Sequence, residues 1–335
     1  MRIAQVSTVG APVRREGGGS IESLVWVLTR ELARLGHEVT VFGVAGSEVA
    51  GELVAALPGP YGAPGSLDEW ELCEWVNLCR AVEESGRFDV LHSHAYLWGL
   101  PLQRLARAPM VHTLHIVPDA DHARLRRLAA PTCVTATSRH QWSAWPDLAP
   151  AAIVPHGLDL SQFDLSERPG EHLCWLGRFT REKGALEAIA VARALGRPIV
   201  LAGPPNAWFH EHVEPLVDGR DVRYAGLVDA AGRSRLLGGA RALVYPILAP
   251  EAFGLVLVEA MLCGTPVAAI RLGAVAEIVE EGVTGFSVPA VSELAKAVTR
   301  CSGLDRRRVR EAAERRFSAD RMARDYVRVY ESLQR

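Results

Sequence analysis

Two glutamates eight positions apart, Glu251 and Glu259, stand in the run PEAFGLVLVEAMLCGTPV (Pro250–Val267). Pro250 and Gly254 bracket a helix start and Gly264 a helix stop, so Glu251 precedes the first turn and Glu259 lies inside the helix. At the rise of an α-helix the two carboxylates are roughly 8–12 Å apart along its axis. That spacing suits two ends of one elongated polar ligand and is too wide for a shared metal. Between them, the backbone N–H groups of Phe253, Gly254 and Leu255 face outward at the positive end of the helix dipole, which makes an anion cradle. Carboxylate, anion cradle and carboxylate match the order of parts in a nucleotide sugar: hexose, diphosphate, ribose.

A second constellation is LGRFTREKGALEA (Leu176–Ala188), where Arg178 and Lys183 flank a strand-to-helix loop. Arg grips phosphate oxygens in a fork and Lys adds a point charge. Of the 37 basic residues only Lys183 and Lys296 are lysines, which singles out an ammonium in that loop. Glycines 17–19 follow the first strand and permit close backbone approach to a ligand. Histidines gather at strand ends: His92, His94, His112, His115 and His156. Alternation puts His92 and His94 on one face of their strand. Sugar or phosphate hydrogen bonding is the favoured reading of His115, ahead of zinc. No Gly-x-Ser-x-Gly elbow and no Gly-x-x-x-x-Gly-Lys-Ser/Thr loop is present, which sets aside hydrolase-triad and P-loop chemistry.

Strands alternating with amphipathic helices must position these groups. The segments at residues 2–8, 37–43, 88–94, 109–115, 132–138 and 151–157 read as strands of the first half. Ile21, Leu24, Val25, Leu28, Leu32 and Leu35 line one face of a helix that Gly36 stops. Residues 46–68 hold Gly, Ala and Pro without periodicity and read as a surface excursion. The pattern restarts at residues 171–179, with a helix at 184–196 and a strand at 198–205. VRYAGLV, ALVYPI and PVAAI supply three further strands. Residues 158–170 are polar, carry Pro169 and Gly170, and read as the linker. Residues 319–335 form a final helix with Met322, Tyr326, Val329 and Tyr330 on one side. The class is α/β: two doubly wound, Rossmann-like domains facing a central cleft, with ligands outside the carboxyl ends of the strands. The expected division is 1–160 with helix 319–335 packing back on it, and 161–318.

Composition narrows the function. A length of 335 residues favours two domains, and 49% hydrophobic with 23% charged residues is ordinary globular usage. A net charge of −2 argues against a nucleic-acid binder. No stretch approaches the ~18 apolar residues of a membrane span. The arginine-rich stretch at residues 300–335, with Arg306, Arg307, Arg308, Arg310, Arg315 and Arg316, is interspersed with acids. It reads as a solvated helix face, so membrane association is not expected. The six cysteines fit no zinc spacing and read as reduced cytoplasmic thiols.

At these residues the chain resembles glycosyltransferase family 4, the retaining enzymes of the GT-B fold. The resemblance runs nearly end to end. Glu251-x7-Glu259 is its most specific part, and GRFTREKG, HTLH, PHGLDLSQF (Pro155–Phe163) and VAEIVEEGVTGFSV (Val275–Val288) match in order and spacing. It implies retaining transfer of a hexosyl group from a nucleoside diphosphate sugar to an acceptor hydroxyl. It implies no bound metal and no cofactor, the nucleotide sugar being a co-substrate. Position by position, Arg178 and Lys183 match the pair on the donor diphosphate. Glu251 matches the carboxylate on the hexose, Glu259 the one on the ribose, and Phe253, Gly254 and Leu255 the backbone cradle. Gly226 and Val228 match the strand end beside the base, and His115 the histidine near the reacting sugar. The glycine loop reads GGGSIE with one residue more than the family pattern, so either Gly18 or Gly19 approaches the phosphate. The alternatives on the same plan are a glycoside phosphorylase, a sugar-nucleotide epimerase and a non-catalytic nucleotide-sugar-binding protein.

Overall fold

Short runs of Val, Ile, Leu and Ala, buried on both faces in the central strands, form two parallel sheets in the computed structural model. It describes residues 1–16, 19–143, 145 and 149–334. Two units result, Met1–Leu158 with Ala319–Arg335, and Asp159–Ser318.

The first unit holds β1 (Arg2–Val6), α1 (Ser20–Arg34), β2 (Glu38–Val44), β3 (Glu52–Leu57), α2 (Trp70–Glu83) and β4 (Val90–Ser93). These are followed by α3 (Gly99–Leu102), β5 (Met110–Thr113), α4 (Ala120–Ala129), β6 (Cys133–Ala136), α5 (Arg139–Ser143) and β7 (Ala152–Ile153). Its strand order is β3-β2-β1-β4-β5-β6-β7, so the winding reverses between β1 and β4. The expectation of an irregular excursion at residues 46–68 is corrected by β3, which pairs with β2 at the sheet edge. The ELVAAL run is too short and too exposed at this edge to show alternation.

The second unit holds β8 (Leu173–Leu176), α6 (Ala185–Ala194), β9 (Ile199–Ala202), β10 (Val222–Tyr224), α7 (Ala230–Gly239) and β11 (Leu243–Tyr245). Next come α8 (Leu255–Leu262), β12 (Val267–Ile270), α9 (Val275–Ile278), β13 (Gly285–Val288), α10 (Leu294–Cys301) and α11 (Arg306–Phe317). The order β10-β9-β8-β11-β12-β13 reverses between β8 and β11. In such sheets the crevice at the reversal, outside the carboxyl ends, receives the ligand. The loop after β8 carries Arg178 and Lys183, and the loop after β11 carries Glu251. Arg178, Lys183 and Glu251 therefore flank the switch point of this unit.

The final helix, α12 (Ala319–Ser332), belongs to the first unit. Met322, Ala323, Tyr326, Val329 and Tyr330 are buried with Val27, Leu28 and Leu32 of α1 and Ile3, Val90 and Val111 of the sheet. Tyr326 and Tyr330 are 2% and 0% exposed, and each buried aromatic contributes about 1.5–3 kcal/mol.

Two other expectations are corrected. Residues 159–170 are not a free linker. Ser166 N–H donates to Cys263 O (3.1 Å), Gly170 N–H to Gly239 O (2.8 Å) and Asp164 N–H to the Ser234 hydroxyl (2.9 Å). These bonds tie the segment to the second unit. The arginine run is a solvated face only in part: Arg307, Arg308 and Arg315 are exposed, while Arg306, Arg310 and Arg316 turn inward. Arg306 is 7% exposed and donates to Ala240 O (3.0 Å), Gly238 O (2.7 Å) and Thr265 Oγ1 (2.6 Å). Arg310 reaches Phe163 O and Leu262 O, and Arg316 reaches Ile278 O. Guanidinium donors here cap carbonyls at element ends, a use of charge that composition does not distinguish from solvation. No helix among the described residues is long and apolar enough to cross a membrane.

Candidate functional site

In the second unit, the loops after β8 and β11 are locked together by backbone. Leu248 N–H donates to Glu182 O (2.8 Å), and the Trp175 indole donates to Lys183 O (3.0 Å). Gly184 sits at φ +71°, and a Cβ there would collide with the Pro246 carbonyl. Only glycine permits this approach without strain. Gly273, in the loop after β12, does the same against the Glu251 backbone, and Ala274 N–H donates to Glu251 O (3.1 Å). Glu251 is thereby held from both sides while its side chain stays one-fifth exposed.

That side chain meets Lys183. One Glu251 oxygen pairs with the Lys183 ammonium, and the other accepts from the Tyr245 hydroxyl. Burial and the Arg178 guanidinium push Lys183 down to about 8, against the upward pull of Glu182. Arg178 is exposed on the same loop. Burial raises the Tyr245 phenol, which stays a donor at neutral pH. Gly254 is the N-cap of α8 and its carbonyl accepts from Leu257 N–H (3.1 Å), so the Leu255 and Val256 N–H groups of the first turn are the ones with no intrahelical acceptor.

Glu259 lies inside α8, 7% exposed, and accepts from Arg233 of α7 at 2.6 Å. Asp229 caps α7 by accepting from Gly232 N–H (2.6 Å). Gly226, at φ +74°, and half-buried Val228 fill the loop between β10 and that cap, and Gly226 O accepts from Gly203 N–H (3.0 Å). Tyr245 and Arg233 went unmarked in the sequence. Tyr245 had the signal of ending the strand before the PEAFG run. Arg233 had only its place one turn after a cap.

In the first unit, Gly19 is the N-cap of α1, while Gly17 and Gly18 lie outside the described residues. Buried Glu22 on α1 accepts from Thr8 Oγ1 (2.8 Å). Beside it, burial pushes Glu74 up to about 8, although its Oε1 accepts from Val9 N–H (3.1 Å). His115, two residues beyond β5, bonds through Nε2 to His94 Nδ1 (3.1 Å) and stacks on His156 with ring centroids 5.3 Å apart. Burial lowers His115 to about 4 and holds His92, His94 and His156 well below the usual imidazole range. All four are neutral at pH 7. Among the described residues, no three His, Cys, Asp or Glu side chains are grouped to hold a metal ion.

Comparison with known proteins gives matching models for both halves. Residues 17–162 match Glycosyltransferase Family 4, and residues 170–303 match Glycosyl transferases group 1. A D-inositol 3-phosphate glycosyltransferase of Actinosynnema mirum is 30% identical over 89% of this chain and 88% of its own. A phosphatidyl-myo-inositol mannosyltransferase of Mycobacterium leprae is 26% identical, covering 99% and 97%. Among solved structures, AviGT4, a glycosyltransferase involved in avilamycin A biosynthesis, superposes with a TM-score of 0.73 at 26% identity, covering 99% and 98%.

Proposed function

Because the chain belongs to glycosyltransferase family 4 and is a glycosyltransferase of GT-B fold, we propose that it moves a hexosyl group from a nucleoside diphosphate sugar to an acceptor hydroxyl. In this reading the anomeric configuration is retained and no metal ion takes part. Both relatives above carry inositol in their names, which supports a hydroxyl acceptor.

The observation that carries the reading is the Lys183–Glu251 pair beside the first turn of the helix that also bears Glu259. Without donor, the ammonium and carboxylate neutralise one another. An entering diphosphate takes Lys183, joined by Arg178 and the N–H groups near Phe253, Gly254 and Leu255. Glu251 is then released to accept from hexose hydroxyls, still oriented by Tyr245. Glu259, fixed by Arg233, accepts from the ribose, with Gly226 and Val228 beside the base. Of the first unit's candidates, Gly18 or Gly19 is assigned to the phosphate and His115 to the reacting sugar.

Charge builds on the leaving diphosphate as its bond to the anomeric carbon breaks. Lys183, Arg178 and the helix N-terminus stabilise that charge where it develops, which is the task a divalent cation performs in other transferases. The acceptor oxygen bonds to the anomeric carbon on the face the phosphate leaves. Its proton passes to the departing phosphate oxygen, so no protein nucleophile is required.

Calorimetric titration with UDP, GDP and ADP tests the assignment. Glu259→Ala should weaken the nucleotide that binds by about 1.5–3 kcal/mol, the worth of a charge-assisted hydrogen bond. Glu251→Ala should leave that affinity unchanged or tighter, since Lys183 loses its competitor, yet reduce transfer sharply. Equal loss of nucleotide affinity in both variants would sink the division of labour. An inverted anomeric configuration in the product, read by proton NMR, would sink retention.

A further inference from the structure

A row of buried polar side chains crosses the first sheet beneath α12. His115 Nε2 bonds His94 Nδ1 (3.1 Å), and His94 Nε2 bonds Gln5 Oε1 (2.9 Å). Gln5 Nε2 donates to the Tyr330 hydroxyl (3.1 Å), which bonds His92 Nδ1 (2.7 Å). His92 Nε2 then bonds Thr113 Oγ1 (2.7 Å), and Thr113 meets Tyr326 (2.9 Å) and Thr135 (2.6 Å). Gln5 and His92 are register partners on β1 and β4, so their side chains share the face on which α12 lies. Gln5, His92 and Tyr330 are each 0% exposed. Burying so many polar atoms is costly unless each is bonded.

The bonds have a direction. A neutral imidazole has one donor nitrogen and one acceptor nitrogen, while an amide oxygen accepts and an amide nitrogen donates. Since Gln5 Oε1 can only accept, His94 carries its proton on Nε2 and accepts at Nδ1. His115 must therefore donate from Nε2, and its Nδ1 is a bare lone pair. That Nδ1 is buried and has no protein partner. On the other side, the Tyr330 hydroxyl receives the amide proton and gives its own to His92 Nδ1. Reversing the Gln5 amide would reverse every bond in the row, so the amide orientation and the His115 tautomer are a single variable.

We propose that Gln5, His94 and Tyr330 are positioning residues that hold His115 as its Nε2–H tautomer, so that Nδ1 accepts a hydrogen bond from a sugar hydroxyl and does not donate to phosphate. The proposal deepens the transferase reading above and rests on it for the ligand, though not for the tautomer. A phosphate oxygen offers only lone pairs and meets a bare nitrogen unfavourably; a hydroxyl supplies the missing proton. The C-terminal helix acquires a chemical role through Tyr330, beyond its packing.

Long-range proton–nitrogen NMR of the full chain, with histidines labelled in ¹⁵N, reads each ring nitrogen as protonated or bare. The His115 signals are identified by their loss in His115→Asn. At pH 7.5 Nε2 should be protonated and Nδ1 bare. Tyr330→Phe removes the hydroxyl that joins the Gln5 amide to His92, and a measurable Nδ1–H population of His115 should appear. Gln5→Met breaks the row one link closer and should do the same if the first variant fails to fold. A merely structural Tyr330 would lower the melting temperature and leave the tautomer alone. A proton on Nδ1 in the wild type, or an unchanged tautomer in both variants, would overturn the proposal. So would a proton gained by Nδ1 on binding UDP, GDP or ADP, since His115 would then hold phosphate. These spectra need no turnover. If UDP-, GDP- and ADP-glucose all fail as donors, the transferase reading suffers while the tautomer is still decided. Where one is turned over, the variants should lose several-fold in kcat with nucleotide affinity held. With acceptor omitted, slow donor hydrolysis falls equally if the hydroxyl is the donor's and is spared if it is the acceptor's.

Discussion

His112→Leu should flatten the acid sensitivity of the first unit. His112 lies on β5, 0% exposed, on the face opposite the polar row, and neither ring nitrogen has a protein partner. A Cβ on Gly99 of α3 would meet its ring at 2.9 Å, so the imidazole is tightly covered. Burial alone lowers it to about 3. The folded value lies below the unfolded one of about 6.5, so the unfolded chain binds the extra proton first. Stability is therefore full above pH 6.5 and falls as pH drops towards 3. At pH 5 the loss from this one group is about 2 kcal/mol, from RT times the logarithm of the proton-binding ratio. His115, lowered to about 4, loses about as much over the same interval. His92, His94 and His156 act in the same direction.

Leucine is close to histidine in size and forfeits no protein hydrogen bond at this position. The variant should match or exceed the wild type at pH 7.5. It should then gain about 2 kcal/mol on the wild type between pH 7.5 and pH 5. Urea unfolding followed by tryptophan fluorescence measures this, because six of the eight tryptophans belong to the first unit. A difference between variant and wild type that is the same at both pH values would refute the buried-neutral account. Uniform destabilisation would show instead that the imidazole is bonded in solution.

Glu74→Gln should act with the opposite pH sense. Its folded value of about 8 lies above the unfolded one, so stability falls as pH rises between about 4.5 and 8. The amide keeps an oxygen for Val9 N–H, and urea unfolding should show the variant gaining up to about 3 kcal/mol at pH 7 and little at pH 4.5. Lys183→Ala and Arg178→Ala should each weaken nucleoside diphosphate binding by about 1.5–3 kcal/mol with the melting temperature of the unliganded chain nearly unchanged. Wild-type affinity, measured by calorimetry, should fall as pH rises past about 8, where Lys183 loses its proton. Sugar transfer should survive excess EDTA; full loss restored by Mn²⁺ or Mg²⁺ would end the metal-free reading.

The two sheets were legible in the sequence because their strands are near-continuous apolar runs cut by glycine and proline. What escaped were two of the four edge strands, β3 and β13. β3 is half-exposed, which dilutes its apolar signal, and the GFSV run of β13, though buried, carries only two large apolar residues. The site was legible as a set of residue types and illegible as a set of pairs. Glu251 and Lys183 are 68 positions apart, and what brings them together is backbone crowding at Gly184 and Gly273, which no side-chain pattern announces. Sequence therefore gave each group its own ligand partner, whereas the fold gives the two groups to each other. The same holds for His115, whose protonation is set by Gln5 and by Tyr330, 325 positions from Gln5. Tyr330 is on a helix that the apolar stripe explains completely by packing, so its hydroxyl carried no separate signal. An apolar stripe predicts where a helix lies. Which polar atoms it brings to the covered face follows only from the register of the sheet beneath.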